Sequence, residues 1–124
     1  MNAVFDEPRP QQFNVFRVTQ IAPDTFLDGV LGVDFIVIPA HSTSEVHRHN
    51  NSDNLIFVLH GSARIILNGL ERSISRGMRV YIPRGMYHGF STSADELEFV
   101  SLQLPAILDK KRNILDLEVQ TPSV

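Results

Sequence analysis

The sequence predicts an all-β fold of the sandwich or barrel type, and three observations carry that prediction. β-Branched and aromatic residues gather in short runs, as in Val33 to Ile38 and Leu97 to Leu104. Turn-forming residues punctuate the runs, as in Pro83-Arg84-Gly85 and Ser91-Thr92-Ser93-Ala94-Asp95. Asn68-Gly69 joins two such runs, and both residues tolerate the positive φ of a type I′ hairpin turn. With 124 residues the chain is one domain. Surface scaling for this mass gives roughly 6,700 Å² exposed when folded against roughly 20,000 Å² unfolded, enough burial for one core.

The elements follow in order. Residues 1–12, with Pro8, Pro10 and two glutamines, read as a loose arm. Strands are expected at Phe13 to Gln20 and Val33 to Ile38. Two more, at Asn54 to Leu59 and Ser62 to Leu67, flank Gly61. Past the Asn-Gly turn come Leu70 to Ile74, Arg79 to Ile82, Tyr87 to Phe90 and Leu97 to Leu104. The core domain therefore spans 13–105, with no boundary inside it. In the extension 106–124, Ala106 to Arg112 reads as a helical turn. Ile114 to Gln120 alternates apolar and polar residues like a half-buried strand. An edge strand at each terminus leaves backbone groups for a second subunit, so a homodimer is expected, with the extension at its interface.

Composition removes several functions. The chain has no Cys, which excludes disulfide frameworks, thiolate nucleophiles and iron–sulfur ligation. Fourteen acidic against eleven basic residues give a net charge of -3, with no basic footprint for nucleic acid. No segment approaches the roughly 20 apolar residues of a membrane span, and the first residues lack the basic and apolar regions of a signal peptide. The expected location is the cytoplasm. No Gly-x-Ser-x-Gly elbow, phosphate loop or paired-carboxylate pattern is present.

Chemistry must come from histidine. His47 and His49 are separated by one residue, so on an extended chain their imidazoles point to one side and can share an ion. His88, just after the Pro83-Arg84-Gly85 turn, meets them only if the intervening strands fold back as a barrel. Neutral imidazoles suit zinc, iron, nickel or copper, and manganese less strongly. His60 lies too far along its strand to join them. Asp53 has the parity of the opposite face, and His41 and Glu45 read as loop residues. Ser101 and Gln103 share one face of the last core strand and Glu98 takes the other. With Arg79, Tyr81 and Tyr87 they are candidate pocket residues whose direction nothing in the sequence fixes.

The chain resembles the cupin family, a small jelly-roll barrel or double-stranded β-helix, over roughly residues 30–105. His47, His49 and Gly61 match the first family motif, and Gly77, Pro83, Gly85 and His88 match the second. Two positions depart from it: Asn54 falls on the family's Glu, and Thr92 on its usual Asn. The resemblance implies one divalent transition metal held by His47, His49, His88 and Asn54. A neutral Asn leaves the full +2 charge on the ion, which weakens metal binding and favours an anionic ligand. The competing reading is a barrel that has lost its metal. In function the family spans enzymes and binding proteins. One reading is a metal-dependent enzyme acting on a small oxygen-bearing organic molecule as isomerase, cyclase, lyase or dioxygenase. The other is a non-enzymatic module that binds or senses a sugar or organic acid.

Overall fold

The computed structural model describes residues 3–122. Its strands are β1 (Gln11–Phe13), β2 (Phe16–Gln20), β3 (Gly32–Ile38), β4 (His47–Arg48), β5 (Asp53–His60), β6 (Ser62–Leu67) and β7 (Leu70–Ser75). There follow β8 (Arg79–Ile82), β9 (His88–Thr92), β10 (Leu97–Leu104), β11 (Leu108–Asp109), β12 (Ile114–Leu115) and β13 (Glu118–Val119). One sheet has the order β1-β2-β3-β10-β5-β8 and the other β13-β4-β9-β6-β7, while β11 and β12 form a separate hairpin. Every pairing is antiparallel. This is the jelly-roll barrel expected, and among the described residues no helix is long and apolar enough to cross a membrane.

Alternation along the strands decides what faces inward. Leu97, Phe99, Ser101 and Gln103 of β10 are buried, as are Asn54, Ile56 and Val58 of β5, while the residues between them are exposed or half-buried. Ile65 and Phe90 meet these side chains from the second sheet, and the Phe90 and Phe99 rings stack with centroids 5.1 Å apart. The core thus joins the two sheets at one end of the barrel and leaves the other end for the polar residues described below.

Four local expectations differ from what is found. Phe13 to Gln20 is a hairpin, because Asn14 adopts a left-handed φ of 51° and turns the chain between β1 and β2. β1 begins at Gln11, two residues inside the stretch read as an arm. Residues 106–112 form β11 and turns in place of a helical turn, since the Ile107 carbonyl accepts from the Asp116 amide and Leu108 pairs with Leu115. The expected strand over 114–120 breaks at Asp116, whose carboxylate accepts from the amides of Asn50 and Asn51 at 2.8 and 2.9 Å.

Gly61 has a physical reason for being glycine. It turns the chain between β5 and β6 at φ 85°, and a Cβ there would overlap the Glu96 carbonyl oxygen. Gly69, at φ 83°, has open space around it. Gly69→Ala therefore carries only the left-handed strain, about 1 kcal/mol. Gly61→Ala adds a backbone clash and is expected to cost roughly 3 kcal/mol or more. Urea denaturation of the two variants side by side checks this, and equal losses would contradict it.

Candidate metal centre

His47 and His88 stand directly opposite each other across β4 and β9, and His49 follows one residue beyond β4. Cross-strand pairing brings two imidazoles together, and period-two alternation adds the third. The ring centroids lie 4.7 to 5.0 Å apart, and each side chain offers one ring nitrogen to a set in which all lie within 4.8 Å of one another. The three are 2 to 6 % exposed.

Their surroundings keep them neutral. Burial lowers the pKa of each, most for His47, which falls to about 3, and for His88, which falls to about 4; neighbouring imidazoles add to the effect in both. His49 is also lowered, against an opposing hydrogen bond to Asp116. Two of the rings are oriented by backbone carbonyls. His49 Nδ1 meets the Asp116 carbonyl at 2.7 Å, and His88 Nδ1 meets the Met86 carbonyl at 3.0 Å. A carbonyl only accepts, so both Nδ1 atoms carry the proton and both Nε2 atoms keep a free lone pair. That is the arrangement in which a metal-ligating imidazole is normally held. Nδ1 of His47 is buried with no hydrogen-bond partner; Glu45, in the loop before β4, approaches it only to 3.7 Å. Three neutral imidazoles with lone pairs to give and one orphaned nitrogen fit a divalent transition metal.

The turn before His88 is tied to the first histidine pair. Gly85 N–H donates to the His49 carbonyl at 2.8 Å, and Asn68 of the Asn-Gly hairpin bonds both the amide and the carbonyl of Tyr87. Thr92 anchors the 39–42 loop: its hydroxyl donates to the Pro39 carbonyl and accepts from Ser42 N–H.

The histidines open onto a cavity of about 90 Å³ between the sheets. Most of its wall is apolar, including Phe16, Ile36, Phe90 and Phe99. One strip is polar. Gln103 Nε2 donates to Asp34 Oδ2 at 2.8 Å and to Ser101 Oγ at 2.9 Å, and Ser101 Oγ donates to Asn54 Oδ1 at 2.7 Å. Asn54 faces Gln103 and Asp34 faces Ser101 in the strand register, so the strip crosses β5, β10 and β3. Asp34 is the only acid lining the cavity among the described residues, and it has no cation beside it. Desolvation pushes its carboxyl up to about 6 against the opposing Gln103 hydrogen bond. Leu115 and Leu117 of the C-terminal segment line the cavity, together with Ile107 and Leu108.

Of the sequence candidates, His47, His49, His88 and Asn54 line this cavity, and Ser101 and Gln103 turn into it. Asp53 points away and pairs with Arg84 at 3.0 Å, which holds its carboxyl down at about 2. His41 and His60 are exposed, as are Arg79 and Tyr81. Tyr87 bonds Glu118 on the outside, and Glu98 faces outward. Sequence reasoning missed Asp34 and Asp116. Asp34 shares parity with Ile36 and Ile38, which was the available signal.

The chain belongs to the cupin family: the profile of the cupin domain matches residues 34–102. Solved structures agree on the fold. A protein from Photorhabdus luminescens is 19% identical, with 83% of this chain and 88% of that one covered and a TM-score of 0.71. A predicted oxalate decarboxylase from Thermotoga maritima is 16% identical over 78% and 92% of the two chains, with a TM-score of 0.70. The DMSP lyase DddQ from Ruegeria pomeroyi is 23% identical over 61% and 39%, with a TM-score of 0.58. No curated protein matches the sequence.

The shifted groups set opposite pH dependences. Histidines that titrate near 6.5 when unfolded and lower when folded give stability that is present above pH 6.5 and lost as pH falls toward 3. Asp34, raised from its ordinary 3.8, gives stability that is present below about pH 4 and lost as pH rises through 6. Asp34→Asn keeps an acceptor for Gln103 and removes the charge. It is expected to stabilise the metal-free protein by about 2 to 3 kcal/mol at pH 8 and to change little at pH 4. Thermal denaturation at the two pH values measures the difference.

Proposed function

We propose that this protein is a mononuclear metal-binding cupin enzyme acting on a small oxygen-bearing organic molecule. The observation that carries the reading is the packing of three neutral, buried imidazoles around one point, two of them oriented through Nδ1 and the third with an unpartnered nitrogen. His47, His49 and His88 would hold the ion. Asn54 would be the fourth ligand through the second lone pair of Oδ1, its direction fixed by Ser101. When bound, the metal supplies Lewis-acid polarisation or, if redox-active, electron transfer.

The residues of the chain set what the site accepts. A cavity of about 90 Å³ is smaller than the ~150 Å³ apolar cavity that takes benzene, so the ligand has only a few heavy atoms. Four neutral ligands leave the cation uncompensated, which favours an anionic group beside the histidines. The apolar wall excludes water and strengthens that attraction. Oxalate, in the name of one structural neighbour, is of this small, oxygen-bearing kind. Ser101 and Gln103 hold the polar strip in one orientation, leaving Asp34 as the group able to exchange a proton at the far wall.

Protein expressed with supplemented metal is expected to carry close to one equivalent of a transition metal by elemental analysis, and His47→Ala or His88→Ala to lose it. Less than a tenth of an equivalent in the unmodified protein would sink the reading. Asn54→Glu is expected to tighten metal binding by about tenfold or more, since it adds a charged ligand. Unchanged affinity, read by competition with a chromogenic chelator, would place Asn54 outside the coordination sphere.

A further inference from the structure

The hydrogen bonds of the polar strip run in one direction, and that direction decides what the far end of the cavity offers a ligand. Both N–H groups of the Gln103 amide are engaged, one by Asp34 Oδ2 and one by Ser101 Oγ, and its carbonyl accepts from the Ile107 amide at 3.2 Å. The Ser101 hydroxyl donates its single proton to Asn54 Oδ1. Neither Gln103 nor Ser101 therefore has a donor left. Asp34 keeps one acceptor: Oδ2 is taken by Gln103, while Oδ1 has no hydrogen-bond partner among the described residues. The side chain is 8 % exposed and lines a cavity whose wall is otherwise largely apolar. A buried acceptor of this kind is destabilising until something donates to it. The chain also gives up a side chain to keep the arrangement. Gly32 faces Gln103 in the register of β3 and β10, and a Cβ there would overlap Gln103 Oε1. Its φ is not left-handed, so the glycine serves to make room for the amide that holds Asp34.

We infer that Asp34 is a specificity-determining residue, and that the ligand of the cavity is a hydroxy acid of about two or three carbons with its carboxylate beside the histidines and its hydroxyl donating to Asp34 Oδ1. The carboxylate end rests on the metal reading above and the hydroxyl end on the strip. Length agrees. Asn54 Oδ1 and Asp34 Oδ2 are joined through Ser101 Oγ and Gln103 Nε2 by bonds of 2.7, 2.9 and 2.8 Å. The ends of the strip are thus roughly 8 Å apart at most, a gap that such an acid bridges within a cavity of about 90 Å³. Charge selects the hydroxyl over an ammonium. Asp34 is ionised above a pH of about 6, so a divalent cation and this carboxylate leave one positive charge in apolar surroundings. A hydroxy carboxylate cancels that charge, and a zwitterionic amino acid does not. A second carboxylate at the far end would meet like charge at Asp34.

Calorimetric titration of the zinc-loaded, full-length protein at about pH 7.5 tests the inference with matched probes. Glycolate is compared with propionate, and 3-hydroxypropionate with butyrate; in each pair a hydroxyl replaces a methyl group. The hydroxy acid of at least one pair is expected to bind about tenfold more tightly than its partner. Asp34→Asn keeps the shape and, with its carbonyl on Gln103, turns an N–H group toward the ligand. The ratio is expected to fall to within about threefold. Glycolate can also reach a metal ion through its hydroxyl, so a preference that persists undiminished in Asp34→Asn would overturn the inference. Asp34→Ala, its fold checked by circular dichroism, carries the same expectation. Asp53→Asn, outside the cavity and paired with Arg84, is expected to keep the ratio. Elemental analysis of the same samples separates the two readings. Zinc-loaded protein that shows no preference, or binds none of the four probes, overturns the inference and leaves the metal centre standing. Protein that holds no zinc yet discriminates through Asp34 overturns the metal centre and supports the hydroxyl contact, and protein that does neither overturns both.

Discussion

Three imidazoles in mutual contact, shut away from water, stay stable only if none of them is charged, and here two of the three find a carbonyl for their N–H. That constraint organises this barrel. His47 and His88 are placed by the pairing of β4 with β9, and His49 by strand parity. The carbonyls that receive their protons come from the turn before β9 and from the segment after β12. The site is thus assembled from both motifs and from the C-terminal extension, which also contributes Leu115 and Leu117 to the cavity wall. Without the Asp116 carbonyl, His49 would have a buried donor with no acceptor, at a penalty of about 1 to 3 kcal/mol.

The cavity is chemically two-sided. Apolar rings from both sheets surround most of it, while one strip across β5, β10 and β3 carries Asn54, Ser101, Gln103 and Asp34 in continuous hydrogen bonding. The buried carboxyl of Asp34 has no cation beside it; Gln103 donates an amide hydrogen bond to it, and desolvation raises its pKa to about 6. The three strands that carry the strip inside carry apolar side chains outside.

Much of this was legible in the sequence. Ser62 to Leu67, Arg79 to Ile82 and Leu97 to Leu104 stand where expected, because turn chemistry bounds each of them. The histidine cluster followed from spacing and parity. Where the sequence misled, nonlocal bonds decided. Nothing in Ile114 to Gln120 announces that Asp116 will cap Asn50 and Asn51, some 66 residues earlier. Asp34 was hidden by the composition of its own strand: Val33, Phe35 and Val37 are as apolar as Ile36 and Ile38. A lone acid in such a run is ordinarily assigned to solvent.

The order of the chain gives the Asp116–His49 hydrogen bond a further meaning. Both sheets are complete except for β13 once residue 104 has been made, yet the group that fixes the tautomer of His49 lies twelve positions later. Until the segment that carries it folds back, His49 Nδ1 lacks its carbonyl acceptor and the cavity lacks the wall made by Leu115 and Leu117. The tautomer of His49 is therefore set only when the segment that carries Asp116 has folded back onto the barrel.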